Sequence, residues 1–296
     1  MLERKSHLDS IAITLLIACC LFWGAQQVLV KATIAELPPI FQASLRFGGA
    51  TLLLLIWCRA RKIPLWQRDG SLLPGLVAGL LFAIEFGCIY GGLQYTSASR
   101  LTVFTYTSPF WVALLVPLWV PTEKVGRMQW LGLILAFCGV ALALSDGLNQ
   151  GGAGHWRGDA LAVAAGLFWG LTTVVIRTTM LARLSAEKLL FYQVGVSTLI
   201  LPWVSRALGE TWQPTWSPFA ITSMVIQTVL GAFISYLTWM WLLGRYPATK
   251  MSSFVFLTPV FALLIGSFWL GEAITVPLVM GLALVAAGMV LVNRKN

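Results

Sequence analysis

Charge is what this chain has least of. Only 10% of its 296 residues are Asp, Glu, Lys or Arg, where a soluble domain carries roughly 25%. Hydrophobic residues reach 58% and the mean hydropathy is +0.82, which excludes both an ordinary soluble enzyme and a disordered chain. Histidine is nearly absent. His7 and His155 stand in polar segments, far from any other metal ligand, so neither a metal site nor a cofactor is expected. The five cysteines contain no C-x-x-C pair, and they lie within or at the end of apolar runs. They read as small packing residues rather than a disulfide framework. No apolar run holds a histidine or a pair of aspartates, and no Gly-x-Ser-x-Gly occurs. The chain therefore offers no catalytic constellation and is not expected to be an enzyme. A filter-like loop of backbone carbonyls, the mark of a selective channel, is missing as well.

What is present is long apolar runs. Crossing about 30 Å of hydrocarbon takes roughly 20 apolar residues. Ten stretches qualify: 10–30, 39–58, 71–94, 98–120, 127–145, 158–180, 186–206, 217–243, 248–270 and 274–293. The fold class expected is an all-α integral membrane protein of ten spans. The charged N-terminus is read as leading into an uncleaved first span, because no small-x-small cleavage site follows it. With the N-terminus cytoplasmic, fifteen Lys and Arg fall on the cytoplasmic side and four on the other (Lys31, Arg100, Arg157 and Arg206), with Arg46 left inside a span. That bias follows the positive-inside rule. It accounts for the net charge of +9 without a nucleic-acid partner and puts both termini in the cytoplasm, in the cell inner (plasma) membrane.

The chain also repeats itself. Leu21-Phe-Trp-Gly24 recurs as Leu167-Phe-Trp-Gly170, and Lys31 and Thr33 recur as Arg177 and Thr179. Further on, Phe104, Pro109 and Trp119 recur as Phe254, Pro259 and Trp269, and the pair Gly132/Gly139 as Gly281/Gly288. Residues 1–147 and 155–296 therefore read as two five-span repeats within one transmembrane unit. Five is odd, so the halves cross the membrane in opposite senses. Such inverted repeats are the plan of many transporters.

These residues resemble a known family. The Phe-Trp-Gly signature in spans 1 and 6, Arg46, Tyr95-Thr-Ser-Ala-Ser99, Ser108-Pro109 with Thr258-Pro259, and Leu270-Gly-Glu272 look like the EamA-type repeat of the drug/metabolite transporter superfamily. Size and repeat plan look like the aromatic amino acid exporter (YddG) type. Pro121-Thr-Glu123 departs from the Gly-Glu expected in the first half. The resemblance implies export of amino acids or similar small metabolites by alternating access through a central cavity. Drugs, nucleotide sugars or other metabolites are the alternative cargo. The implied partners are a small-molecule substrate and the lipid bilayer; oligomeric state and energy coupling stay open.

Candidate site residues are the polar and aromatic groups inside spans, because lipid penalises the ionised ones by roughly 2.5–3.5 kcal/mol at mid-depth. Arg46 and Glu85 lie on neighbouring spans. They either line the cavity or form a buried ion pair with each other. Glu85 points away from the small-residue row Gly75, Gly79, Ala83, Gly87 and Gly91 on its own helix, which favours an interior position. Gln26, Gln27, Gln193 and Gln227 offer amide donors and acceptors, for a substrate or for another helix. Trp23 and Trp169 occupy equivalent places in the two repeats, and Tyr90, Tyr106, Tyr192 and Tyr236 bring hydroxyls into the spans. Pro109 and Pro259 are expected to kink spans 4 and 9 as paired gating hinges. Lys31 and Arg177 are expected to snorkel to headgroups.

Overall fold

In the computed structural model the described residues are 5, 7–92, 94–95, 101, 104–121, 124–143, 156–270 and 276–293. Eleven α-helices run through them: α1 (Ser10–Thr33), α2 (Pro39–Ala60), α3 (Leu72–Gly92), α4 (Ser108–Trp119), α5 (Arg127–Ala143), α6 (Trp156–Thr178), α7 (Ala186–Ala207), α8 (Pro218–Arg245), α9 (Ala248–Phe254), α10 (Leu257–Leu270) and α11 (Val276–Asn293). No strand occurs among the described residues. Four helices, α2, α3, α6 and α8, are each long and apolar enough to cross a membrane, and shorter apolar helices accompany them.

Local chemistry sets the helix ends. Pro38 and Pro39 open α2, where a missing N–H costs nothing. The Glu210 carboxylate then accepts the freed Ile40 and Phe41 amides at 2.9 and 2.8 Å, capping α2 from the loop after α7. The Ser185 and Ser217 side chains cap α7 and α8. At the opposite end, Asp69 in the loop after α2 takes the Lys188 ammonium at 2.8 Å, at the first turn of α7. The Lys188 ammonium and the Ser71 hydroxyl hold the Asp69 carboxyl well below the usual carboxylate range.

The helices pair in a regular way. α2 lies along α7, and α5 along α11; α1 packs on α10 while α4 packs on α6. Glycine lets two of these contacts close. A Cβ on Gly132 would stand 2.6 Å from the Gly288 carbonyl oxygen, and one on Gly139 would stand 2.7 Å from that of Gly281, so the α5 and α11 backbones touch. Gly170, from the second Phe-Trp-Gly, leaves room for Trp111 of α4. Around this bundle Leu52, Leu73, Leu199, Trp203 and Val290 are exposed. Apolar surface of that kind suits lipid and not water.

Two expected spans are interrupted. Span 9 divides into α9 and α10 at Val255–Phe256, with Pro259 in the first turn of α10. Span 4 turns at Tyr106–Thr107 before α4 starts, with Pro109 near its N-terminus. The prolines therefore do not bend continuous helices as expected. Each opens a second half-helix, where its fixed φ and absent N–H fit best. α8 is regular only in part, since Gln227–Ser235 is π-helical.

Candidate functional site

A cavity of about 130 Å³ lies in the middle of the bundle. Its wall draws on both halves of the chain: Trp23, Gln26, Arg46, Glu85, Tyr90 and Tyr106 from the first, Trp169, Thr172, Gln193, Tyr236, Trp239 and Met240 from the second. The aromatic side is a cluster of rings. Trp23 sits edge-on to Trp169 at 6.3 Å between centroids, with Tyr236 at 6.0 Å and Trp239 at 5.4 Å from it. Tyr106 meets Trp169 at 6.2 Å. The Trp23 indole donates to Ser235 Oγ at 2.8 Å, which ties α1 to the π-helical part of α8.

The polar side is built around Arg46, which is 1% exposed. Its Nη1 donates to the Tyr90 hydroxyl at 3.2 Å and its Nη2 to that of Tyr236 at 2.8 Å. The guanidinium also lies over the Phe47 and Phe86 rings, at 4.8 and 5.1 Å from their centroids. Arg46 Nε has no hydrogen-bond partner among the described residues. Glu85 lines the same cavity, yet among the described residues the two charges form no ion pair. Of the two arrangements open for Arg46 and Glu85, the structure has both groups on the cavity wall.

Of the residues singled out in the sequence, Trp23, Gln26, Arg46, Glu85, Tyr90, Tyr106 and Trp169 meet in this cavity, and Gln193 joins them. Three others do not. The Gln27 side chain lies outside the described residues. Tyr192 is a helix-packing residue: its ring covers Gly75 of α3 and its hydroxyl bonds Ser71 Oγ at 2.8 Å. Gln227 is fully buried between helices, and its amide nitrogen donates to Ser223 Oγ at 3.0 Å one turn earlier. Pro109 and Pro259 stand at the interruptions described above, outside the wall. Arg177 does not snorkel. It is buried and donates to the Leu243 carbonyl at 2.8 Å, while the Lys31 side chain lies outside the described residues.

Tyr236, one of the four tyrosines named for their hydroxyls, also lines the wall. It stands 146 positions after Tyr90, the same offset that relates Trp23 to Trp169, and Thr172, which the sequence did not single out, stands 146 after Gln26. Trp239 and Met240 have no such mark, and only tertiary packing brings them to the wall.

Comparison with known proteins follows the same two halves. The EamA-like transporter family matches residues 10–145 and again 156–294. The chain is similar to an uncharacterized transporter of Synechocystis, sll0355, at 30% identity, with 100% of this chain and 93% of that protein covered. It is similar at 24% identity to a probable amino-acid metabolite efflux pump of Salmonella typhimurium, over 90% of this chain and 89% of that one. A solved crystal structure shares the fold at a TM-score of 0.79 and 18% identity, covering 96% of this chain and 99% of the other.

Proposed function

Because the chain belongs to the EamA-like transporter family, of the drug/metabolite transporter kind, and is a multi-pass inner-membrane protein, we propose that it exports amino acids or similar small metabolites by alternating access. In this reading ten spans form two inverted five-helix repeats, and the central cavity holds the solute between them.

One observation carries the proposal. A ring-lined cavity contains one guanidinium and one carboxyl group that are not paired with each other. Each charge alone is costly away from water. A zwitterion offers a carboxylate to Arg46 and an ammonium to Glu85, and so offsets both. Size favours small cargo too, since an apolar cavity of about 150 Å³ accommodates benzene. A nucleotide sugar would need far more room and more than one cation.

Helix pairing supports the inverted repeat. Exchanging each span with its partner five places on turns the α1–α10 contact into the α4–α6 contact, and returns α2–α7 and α5–α11 to themselves. The loop ends behave alike. Asp69, after span 2, anchors the start of span 7, and Glu210, after span 7, caps the start of span 2. Rocking the halves about the cavity would open it to alternate sides.

The test is uptake of a panel of labelled amino acids into proteoliposomes, with and without an imposed pH gradient, for the wild type, Arg46→Ala and Glu85→Ala. The expected result is saturable uptake by the wild type that falls at least about tenfold in each variant, the loss of one charge-assisted contact. The gradient response separates antiport from facilitated diffusion. Wild-type uptake equal to empty vesicles for every amino acid rejects this cargo.

A further inference from the structure

Buried arginine in a membrane protein normally pairs with an acid or with backbone carbonyls. Arg46 does neither in the described contacts. Its recorded partners are two phenol hydroxyls and the faces of Phe47, Phe86 and Tyr236, all uncharged. A phenol accepts a hydrogen bond without cancelling the charge, and a ring face attracts the cation while leaving it a full unit positive. An acid at the same place would hold the side chain equally well and silence it.

The two hydroxyls come from equivalent places. Tyr90 lies in α3 and Tyr236 in α8, 146 positions apart, like the tryptophan pair. Arg46 has no such counterpart at the cavity, because the residue 146 positions on is Tyr192, which bonds Ser71 instead. One arginine is therefore gripped by a tyrosine from each half. Tyr236 also stands at the first position after the π-helical segment. That segment sets the rotation of everything beyond it on α8, including the wall residues Trp239 and Met240. Segments with i→i+5 bonding are rare and are frequently found at functional sites. Ser235, its last residue, is fixed by the Trp23 indole, so the register is pinned next to the tyrosine.

We propose that Tyr236 and Tyr90 are specificity-determining positioning residues. They form a charge-neutral cradle that holds the Arg46 guanidinium at the cavity wall with its charge uncompensated, so the site selects solutes bearing a carboxylate or a comparable anionic group. The inference rests on the reading of the cavity as the solute site, but it does not require the solute to be an amino acid. The guanidinium has five N–H donors, the two hydroxyls occupy two, and Nε is unpartnered among the described residues. Spare donors in a planar fork suit a carboxylate, which can accept two of them at once.

The test uses purified full-length protein in lipid nanodiscs and two aromatic probes of equal shape, benzoate and its neutral amide benzamide. Binding is read from quenching of the cavity tryptophans. The expected result is that the wild type binds benzoate at least about tenfold more tightly than benzamide. Tyr236→Phe and Tyr90→Phe, which keep the rings and remove only the hydroxyls, should each weaken benzoate by about tenfold and benzamide by less than about twofold. Arg46→Lys, which keeps the charge but loses the fork, should reduce the preference. The thermal midpoint of each variant is measured alongside. A wild type that binds both probes equally, or neither, overturns the proposal. So does equal weakening of both probes in the Tyr236→Phe protein, which is what a purely structural role would give. Failure of the amino-acid panel together with preserved benzoate selectivity rejects the cargo assignment and leaves the cradle standing.

Discussion

Asp9 shows how much one side chain does at the edge of this bundle. Its carboxylate accepts the Ala12 amide at 2.9 Å at the start of α1, the Lys5 ammonium at 2.6 Å and the Tyr246 hydroxyl at 2.8 Å from the end of α8. The Lys5 amide in turn donates to the Arg245 carbonyl at 2.9 Å. The result is a strap from the N-terminus to the loop joining α8 and α9. The Lys5 ammonium, with the Ala12 amide and the Tyr246 hydroxyl, pulls the Asp9 carboxyl down to about 2. The value in an unfolded chain is about 3.9. A lowered folded value means that the stabilisation is complete above about pH 4 and is lost as the pH falls towards 2. Hydrogen exchange should therefore find the Lys5 and Ala12 amides equally protected at every pH between roughly 5 and 8. Asp9→Asn should raise their exchange at neutral pH by about tenfold, the equivalent of one charge-assisted hydrogen bond. Unchanged protection in that variant would show that the strap is held by something else. Residues of this type are hard to read in a sequence. Arg46 and Glu85 announce themselves because lipid penalises charge, but Asp9 lies before its helix, and its long-range partner, Tyr246, sits 237 positions away.

Helices were far more legible than their defects. Most of the ten apolar runs begin and end within about three residues of a described helix, because spanning length and flanking charge leave little freedom. The interruption at Val255–Phe256 and the π-helical stretch Gln227–Ser235 carry no compositional mark, since each is as apolar as regular helix on either side. Likewise the i, i+4 row on α3 gave a packing ridge but not its limits. Gly75 and Gly79 meet Tyr192 and Val196 of α7, while Gly87 and Gly91 face open space. Helix contact therefore predicts opposite outcomes for chemically identical substitutions. A Cβ at Gly139 would stand 2.7 Å from a backbone oxygen and 2.8 Å from a backbone nitrogen of α11, atoms that cannot rotate away. Gly139→Ala should force α5 and α11 apart and cost about 1–3 kcal/mol. Gly87→Ala meets nothing within 4 Å and should stay within about 0.5 kcal/mol of the wild type. Thermal unfolding in one detergent or nanodisc preparation compares the two. Equal loss in both variants would remove close backbone contact as the reason for glycine at 139.

Across the whole molecule, the repeat and the charge bias make one joint claim about topology. The cavity wall takes residues from both halves, and its two equivalent pairs, Trp23 with Trp169 and Tyr90 with Tyr236, meet across it. An inverted repeat would bring such pairs face to face, since two units of opposite sense would meet at a common mid-plane. If ten spans hold, Arg61 and Lys124 are cytoplasmic, and Arg157 and Thr211 are on the other side. All four are exposed positions outside or at the ends of helices. Single cysteines placed there, in a chain whose five native cysteines have been replaced, should divide cleanly. A membrane-impermeant maleimide added to intact cells should label positions 157 and 211, and should reach 61 and 124 only after permeabilisation. The span between 124 and 157 is the informative one. Positions 61 and 124 are separated by two crossings, and so are 157 and 211, but one crossing between 124 and 157 is what reverses the second half. Labelling of 124 and 157 from the same side would require an even number of crossings there. The two halves would then be parallel, and the positive-inside count and the rocking of opposed repeats about the Arg46 cavity would fall together.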